Sequence, residues 1–123
     1  MAEKLILLIN PRKNSKVRRT IDFALESVGM SVHIADNAAE AMDLANDYVF
    51  DAIVVEERID SRTSGNELIR ELRVAHPYLN ALLISKKDRP EELHADAFIA
   101  MPWETIDALV EIVEYLAELN NPN

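Results

Sequence analysis

The sequence predicts an α/β domain, a parallel sheet of five strands covered by helices on both faces. Five short apolar runs, Leu5–Ile9, 32–35, 52–55, Ala81–Ser85 and Ala97–Ala100, are continuous rather than alternating, as strands buried on both faces are. Stretches with apolar residues at helical spacing lie between them, and strands that alternate with helices point to a parallel sheet. The apolar share of the chain, 49% of 123 residues, is enough for one core and too high for a disordered tail.

Each element has its own signal. The first strand leads into a helix with Val17, Ile21, Ala24 and Val28 on one face, stopped by Gly29. The second helix opens on Asn37 with Glu40 three residues on, the spacing of a capping box. The third opens on Ser64 and Glu67 at the same spacing, carries Leu68, Ile69 and Leu72, and ends before His76-Pro77. The last helix spans about 104–119. Only residues 86–96, with Pro90 among them, separate the fourth and fifth strands. A helix with two loops barely fits there, so a single turn near 91–93 or an irregular loop is expected. The chain reads as one domain, 1–119, with a short tail, 120–123.

Composition removes several function classes. There is no cysteine, hence no disulfide framework, thiolate metal site or cysteine nucleophile. Thirteen basic against 22 acidic residues leave a net charge of −9, which argues against general nucleic-acid or anionic-membrane binding. Gly29 and Gly65 are isolated, so no glycine-rich nucleotide cradle can be written. His33, His76 and His94 are too scattered to propose a metal site. The longest apolar run falls far short of the ~20 residues that span a bilayer. No export leader is evident, so a soluble cytoplasmic domain without a cofactor is expected.

Several residues placed on this scaffold resemble the receiver domain of bacterial response regulators, over essentially the whole chain. Asp51-Ala52-Ile53-Val54-Val55-Glu56 is similar to that family's acidic residue, apolar run and phosphoryl-accepting aspartate. Ser85 ends the fourth strand, and Met101-Pro102-Trp103 stands where the family has Lys-Pro-aromatic. Residues 36–41 and 65–69 also resemble family sequence. The resemblance implies a three-layer, doubly wound sheet in the order 2-1-3-4-5, a flavodoxin-like (CheY-like) fold with its fourth helix shortened or lost. It also implies a site at the carboxyl ends of strands one and three, and a role in two-component phosphorelay signalling.

That site departs from the family pattern. Receivers carry two acids at the end of the first strand, which hold Mg²⁺ with the acceptor aspartate. Here the strand runs into Asn10-Pro11-Arg12-Lys13, with no Asp or Glu between Glu3 and Asp22. The acceptor position reads Glu56, the phosphate-contacting lysine reads Met101, and only Ser85 and Pro102 remain. Mg²⁺ is a hard ion that needs closely placed carboxylate oxygens, so no Mg²⁺ is expected. Phosphoryl transfer needs positive charge on the equatorial oxygens, and Met101 supplies none. The longer glutamate also displaces its carboxylate, and a misplacement of about 1 Å already costs ~100-fold. A degenerate, pseudo-receiver domain is therefore expected: a non-enzymatic module, independent of phosphorylation, acting through protein–protein contact.

Individual residues carry two readings each. Glu56 is either a standing mimic of a phosphorylated aspartate or a strand-end glutamate paired with Lys86 or Arg12. Counting back from Gly65 would put Glu57 in its place, as mimic or acceptor. Ser85 in the family reports phosphate to an aromatic side chain on the fifth strand. That position is Phe98, without a hydroxyl, so local backbone bonding and packing are the expected roles. Arg12, Lys13, Lys16, Arg18 and Arg19 form either a solvated basic face or an anion site. A small-ligand site in the vacated pocket of Asn10, Glu56, Ser85 and Met101 is a further alternative.

The last helix speaks to partners. At about 100° per residue, Ile106, Leu109, Val110, Val113, Leu116 and Ala117 share the arc expected on the sheet. Asp107, Glu111, Glu114 and Glu118 share an acidic arc. Ala108, Ile112, Tyr115 and Leu119 form a third arc, too apolar for full solvation unless it packs under segment 86–96. With Trp103 near its start, the stripe Ile112, Tyr115 and Leu119 is the candidate surface for self-association or for another signalling protein.

Overall fold

The computed structural model describes residues 3–12, 15–100 and 106–119. Five strands, β1 (Leu5–Ile9), β2 (Ser31–Ala35), β3 (Ala52–Glu56), β4 (Ala81–Ser85) and β5 (Ala97–Ala100), form one parallel sheet in the order β2-β1-β3-β4-β5. Among the described residues four helices cover it: α1 (Lys16–Ser27), α2 (Ala38–Asp47), α3 (Gly65–Ala75) and α4 (Ile106–Leu119). This is the expected doubly wound arrangement. No helix lies between β4 and β5.

The continuous apolar runs are explained by the layers they separate. Every residue of β3 and β4 is buried. Alternate side chains of each strand feed opposite faces. Ile6, Leu8, Val54 and Ile84 pack with Ile21 and Leu25 of α1 and with Leu109, Val113 and Leu116 of α4. Leu7, Ile9, Ile53 and Val55 pack with Ala41 of α2 and with Leu68, Ile69 and Leu72 of α3. Each such aliphatic side chain contributes roughly 1.5–3 kcal/mol by leaving water.

The helix starts follow the sequence signals in half. The Asn37 and Ser64 side chains accept from the backbone N–H of Glu40 (2.8 Å) and Glu67 (3.1 Å). The reciprocal glutamate arm goes elsewhere: Glu67 binds Arg70, and Glu40 reaches the backbone of Asp36. Val28, expected on the buried face of α1, is 48% exposed because the helix ends at Ser27 and Val28 is its cap. Gly29 follows at φ +89°, a conformation that favours glycine.

Segment 86–96 is an irregular loop, one of the two outcomes expected, and it is fastened. Asn66 donates to the carbonyl of Glu92 and accepts from the N–H of His94, both at 2.8 Å. Arg73 donates to the carbonyls of Leu79 (3.0 Å) and His94 (2.8 Å) and pairs with Asp96. The Asp96 carboxylate in turn accepts from the N–H of Ala81 at 2.8 Å. Leu93 and Ala95 pack on the α2–α3 side of the core, where two side chains do part of the covering that a helix would do. Met101, Pro102, Trp103 and the tail 120–123 lie outside the described residues.

Candidate functional site

Sheet register builds the corner at the carboxyl end of β1 and β3. Ile9 pairs with both Ala35 and Val55, so the next residues, Asn10, Asp36 and Glu56, emerge side by side. Asn10 is fully buried and Glu56 is 4% exposed. A carboxylate that deep needs partners. The Asn10 amide donates to Glu56 Oε2 at 2.6 Å, and the Arg12 guanidinium pairs with Oε1. Of the two partners expected for Glu56, Arg12 takes the place and Lys86 stays exposed.

Asn10 is the hub of this corner. Its side-chain carbonyl accepts from the N–H of Arg12 at 2.9 Å, which folds the chain so that the guanidinium returns over Glu56. Its main-chain N–H donates to Ala35 at 3.2 Å, and its main-chain carbonyl accepts from Arg18 at 3.1 Å. Arg18 also pairs with Asp36. Pro11, half-buried, offers neither an acid nor a main-chain N–H. The basic cluster read from the sequence is thus divided: Arg12 and Arg18 serve the corner, Lys16 and Arg19 line a cleft of about 530 Å³ between α1 and α4, and Lys13 lies outside the described residues.

The glutamate next along has a different task. Glu57 accepts from the N–H of Asn66 at 2.8 Å, and its carbonyl accepts from Gly65 at 2.7 Å, which seats α3 against the end of β3. Gly65 permits that contact, because a Cβ there would stand 2.3 Å from the Glu56 carbonyl oxygen. Between Glu57 and α3 the chain makes a tight loop, closed by an antiparallel bridge from Arg58 to Ser64. The Asp60 carboxylate accepts from Arg62 and Thr63 N–H at 2.7 Å each, and these bonds hold its carboxyl below the usual aspartate range.

On the other side of Glu56, the Ser85 hydroxyl accepts from the N–H of Lys87 at 3.0 Å, a local bond. Phe98 sits on β5 opposite Leu83 and is half-buried against the α2–α3 side of the core. The sequence did not single out Asn66, Arg73, or the pairing of Arg18 with Asp36. Asn66, a polar residue at a buried position in the first turn of α3, was the available signal; its target lies 26 and 28 residues away.

This corner does not suit a magnesium ion. That ion takes oxygen ligands, whereas the Glu56 carboxylate faces the N–H donors of Asn10 and Arg12, and the Asn10 carbonyl is spent on backbone. Among the described residues no three His, Asp or Glu side chains gather as a metal-ligand group, and no helix is long and apolar enough to cross a membrane.

The stripe on α4 is partly open. Ile112 packs on the core, whereas Tyr115 is 65% and Leu119 52% exposed, so segment 86–96 does not cover them. The buried and acidic arcs of α4 fall where the helical period places them. Trp103, expected near the start of the stripe, lies outside the described residues, as do Met101 and Pro102.

Solved structures similar to this chain include receiver domains of response regulators. The receiver domain of a Francisella response regulator superposes with a TM-score of 0.84, covering 97% of this chain and 100% of its own at 22% identity. TrrA from Thermotoga maritima, a response regulator solved in complex with Mg²⁺–BeF, gives 0.80 over 92% and 98% at 22% identity. The signal receiver domain of an HD domain-containing protein from Pseudomonas fluorescens gives 0.86 over 99% and 100% at 15% identity. The chain therefore has the receiver, or CheY-like, fold. No protein-family model matches the sequence, and no curated protein matches it.

Proposed function

We propose that this chain is a receiver-type signalling domain of a two-component system that works without phosphorylation or catalysis, through contact with another protein. The observation that carries the reading is the Asn10–Glu56–Arg12 cluster. In it, the strand-end carboxylate is already neutralised by a guanidinium from its own chain and by a buried amide. A phosphoryl donor approaching Glu56 would have to break both bonds, and no acid pair stands at Asn10 and Pro11 to recruit a metal. The same bonds favour the plain structural role for Glu56 over that of a phosphate mimic.

The contact surface in this reading is Tyr115 and Leu119 with Ile112 beneath them, and Trp103 is its further anchor. It serves self-association or another signalling protein. Exposed aromatic and aliphatic groups on one face of a helix are the usual anchors of such contacts.

Three measurements test this. Amide NMR spectra with Mg²⁺ and beryllofluoride, and intact mass after incubation with a small phosphoryl donor, should both be unchanged. Shifts centred on residue 56, or the added mass of a phosphoryl group, would overturn phosphorylation independence. Leu119→Glu should abolish self-association in light scattering, or partner capture by the wild-type chain; a variant as competent as wild type would refute the surface.

A further inference from the structure

Beyond the ion pair, the carboxyl edge of the sheet opens into a cavity of about 830 Å³ between the loop at 57–64 and the corner at 85–87. Its charge runs against that of the chain. Net charge is −9, yet Arg12, Arg58, Arg62, Lys86 and Lys87 line this cavity against Glu56, Glu57 and Asp60. Glu56 is neutralised by Arg12, and Asp60 is held by its turn and by the nearby Arg62. That leaves Arg58, Lys86 and Lys87 facing Glu57 alone. No ion pair among the described residues engages these three cations.

The walls that carry them are formed in advance. The Arg58–Ser64 bridge closes the loop, with Asp60 N–H on the Thr63 carbonyl at 3.2 Å and the Asp60 carboxylate inside the turn. Opposite, the Ser85 hydroxyl fixes the backbone of Lys87. The volume lies within the ~300–1,000 Å³ of small-molecule sites. Among the described residues the lining consists of charged and hydroxyl-bearing side chains, so charge and hydrogen bonding do the recognising. Guanidinium forks on one wall, with Ser61 beside them, and ammonium groups on the other suit an anion with charge at more than one point.

We propose that this cavity is a reversible, non-covalent site for a small anion carrying two or more linked phosphate groups, either an inorganic polyphosphate or the phosphate chain of a nucleotide. The inference is separate from the contact surface on α4 and from phosphorylation independence. It places an anion among cations on the loops and forms no bond to Glu56.

The test is a titration of the intact chain with inorganic tripolyphosphate, followed by amide shifts, with sulfate as the singly sited comparison. Saturable shifts centred on 57–64 and 85–87, weaker for sulfate and at unchanged intact mass, are expected. Exchanging Lys86 and Lys87 for Gln together, both exposed side chains, should weaken binding about tenfold while leaving the rest of the spectrum in place. Arg58→Gln should do so from the opposite wall. Adenosine and guanosine triphosphates identify the source: equal affinity to tripolyphosphate assigns the linked phosphates themselves, and tighter binding assigns a nucleotide. The proposal is overturned by the lack of a saturable shift. It is equally overturned by shifts as large along α1 as at the cavity, or by undiminished affinity in both variants. A covalent phosphoryl adduct in the same samples would refute the proposed function and leave this site standing.

Discussion

The two halves of the sheet's carboxyl edge solve the same problem differently. At the β1–β3 half, Asn10, Arg12 and Glu56 meet across 44 to 46 residues of sequence, and a buried charge is closed off by side chains. At the β4–β5 half, Ser85 is satisfied by the N–H of Lys87 two residues away, and the lysines beside it stay in solvent. A buried carboxylate demands partners wherever in the chain they are, whereas a hydroxyl is content with its neighbours. One half is therefore tied to the fold as a whole. The other is free to meet a ligand.

The largest way to break this contrast is at the seam between Glu56 and α3. Gly65→Ala would drive a methyl against the Glu56 carbonyl and should cost about 3 kcal/mol in urea unfolding, with the corner's amide shifts displaced. Arg12→Met comes next. Breaking a buried pair costs about 3–5 kcal/mol, and because the Arg12 side chain is 42% exposed a loss nearer 2 kcal/mol is expected. Lys86→Met, at the open half, should stay within about 0.5 kcal/mol of wild type. Equal losses for the two would erase the distinction.

Asn66→Ala removes two hydrogen bonds to segment 86–96 and should cost about 1.5–2 kcal/mol, with faster amide exchange at His94. Ser85→Ala should cost less than Asn66→Ala, about 0.5–1 kcal/mol, and its shift changes should end at Lys87. Changes from Ser85 that reached Glu56 would mean that the halves communicate after all.

Much of this fold was legible in the sequence because its signals are local and repeated. Continuous apolar runs marked β1, β4 and β5 to the residue, and Asn37 and Ser64 marked two helix starts, since period and capping act within a few positions. Val28 misled for the same reason: its spacing fits the buried face of α1, but the helix stops one residue earlier. At the site, the loss of acids at Asn10 and Pro11 was plain, and so was the choice of Arg12 or Lys86 beside Glu56. The choice itself was not, because it turns on the Asn10 carbonyl folding Arg12 back. Nor could spacing show that Asn66 and Arg73 would pin the segment standing in for a helix. Apart from the Asp96 carboxylate, their acceptors are main-chain carbonyls, which every residue has and no sequence pattern distinguishes.

A guanidinium keeps its proton at any pH a folded protein survives, and a peptide bond does not dissociate as a coordinated ion does. Carrying Arg12 on the same strand exit as Asn10 gives this corner a countercharge that no chelator can strip and no dilution can deplete. The countercharge of Glu56 is in that sense translated with the polypeptide.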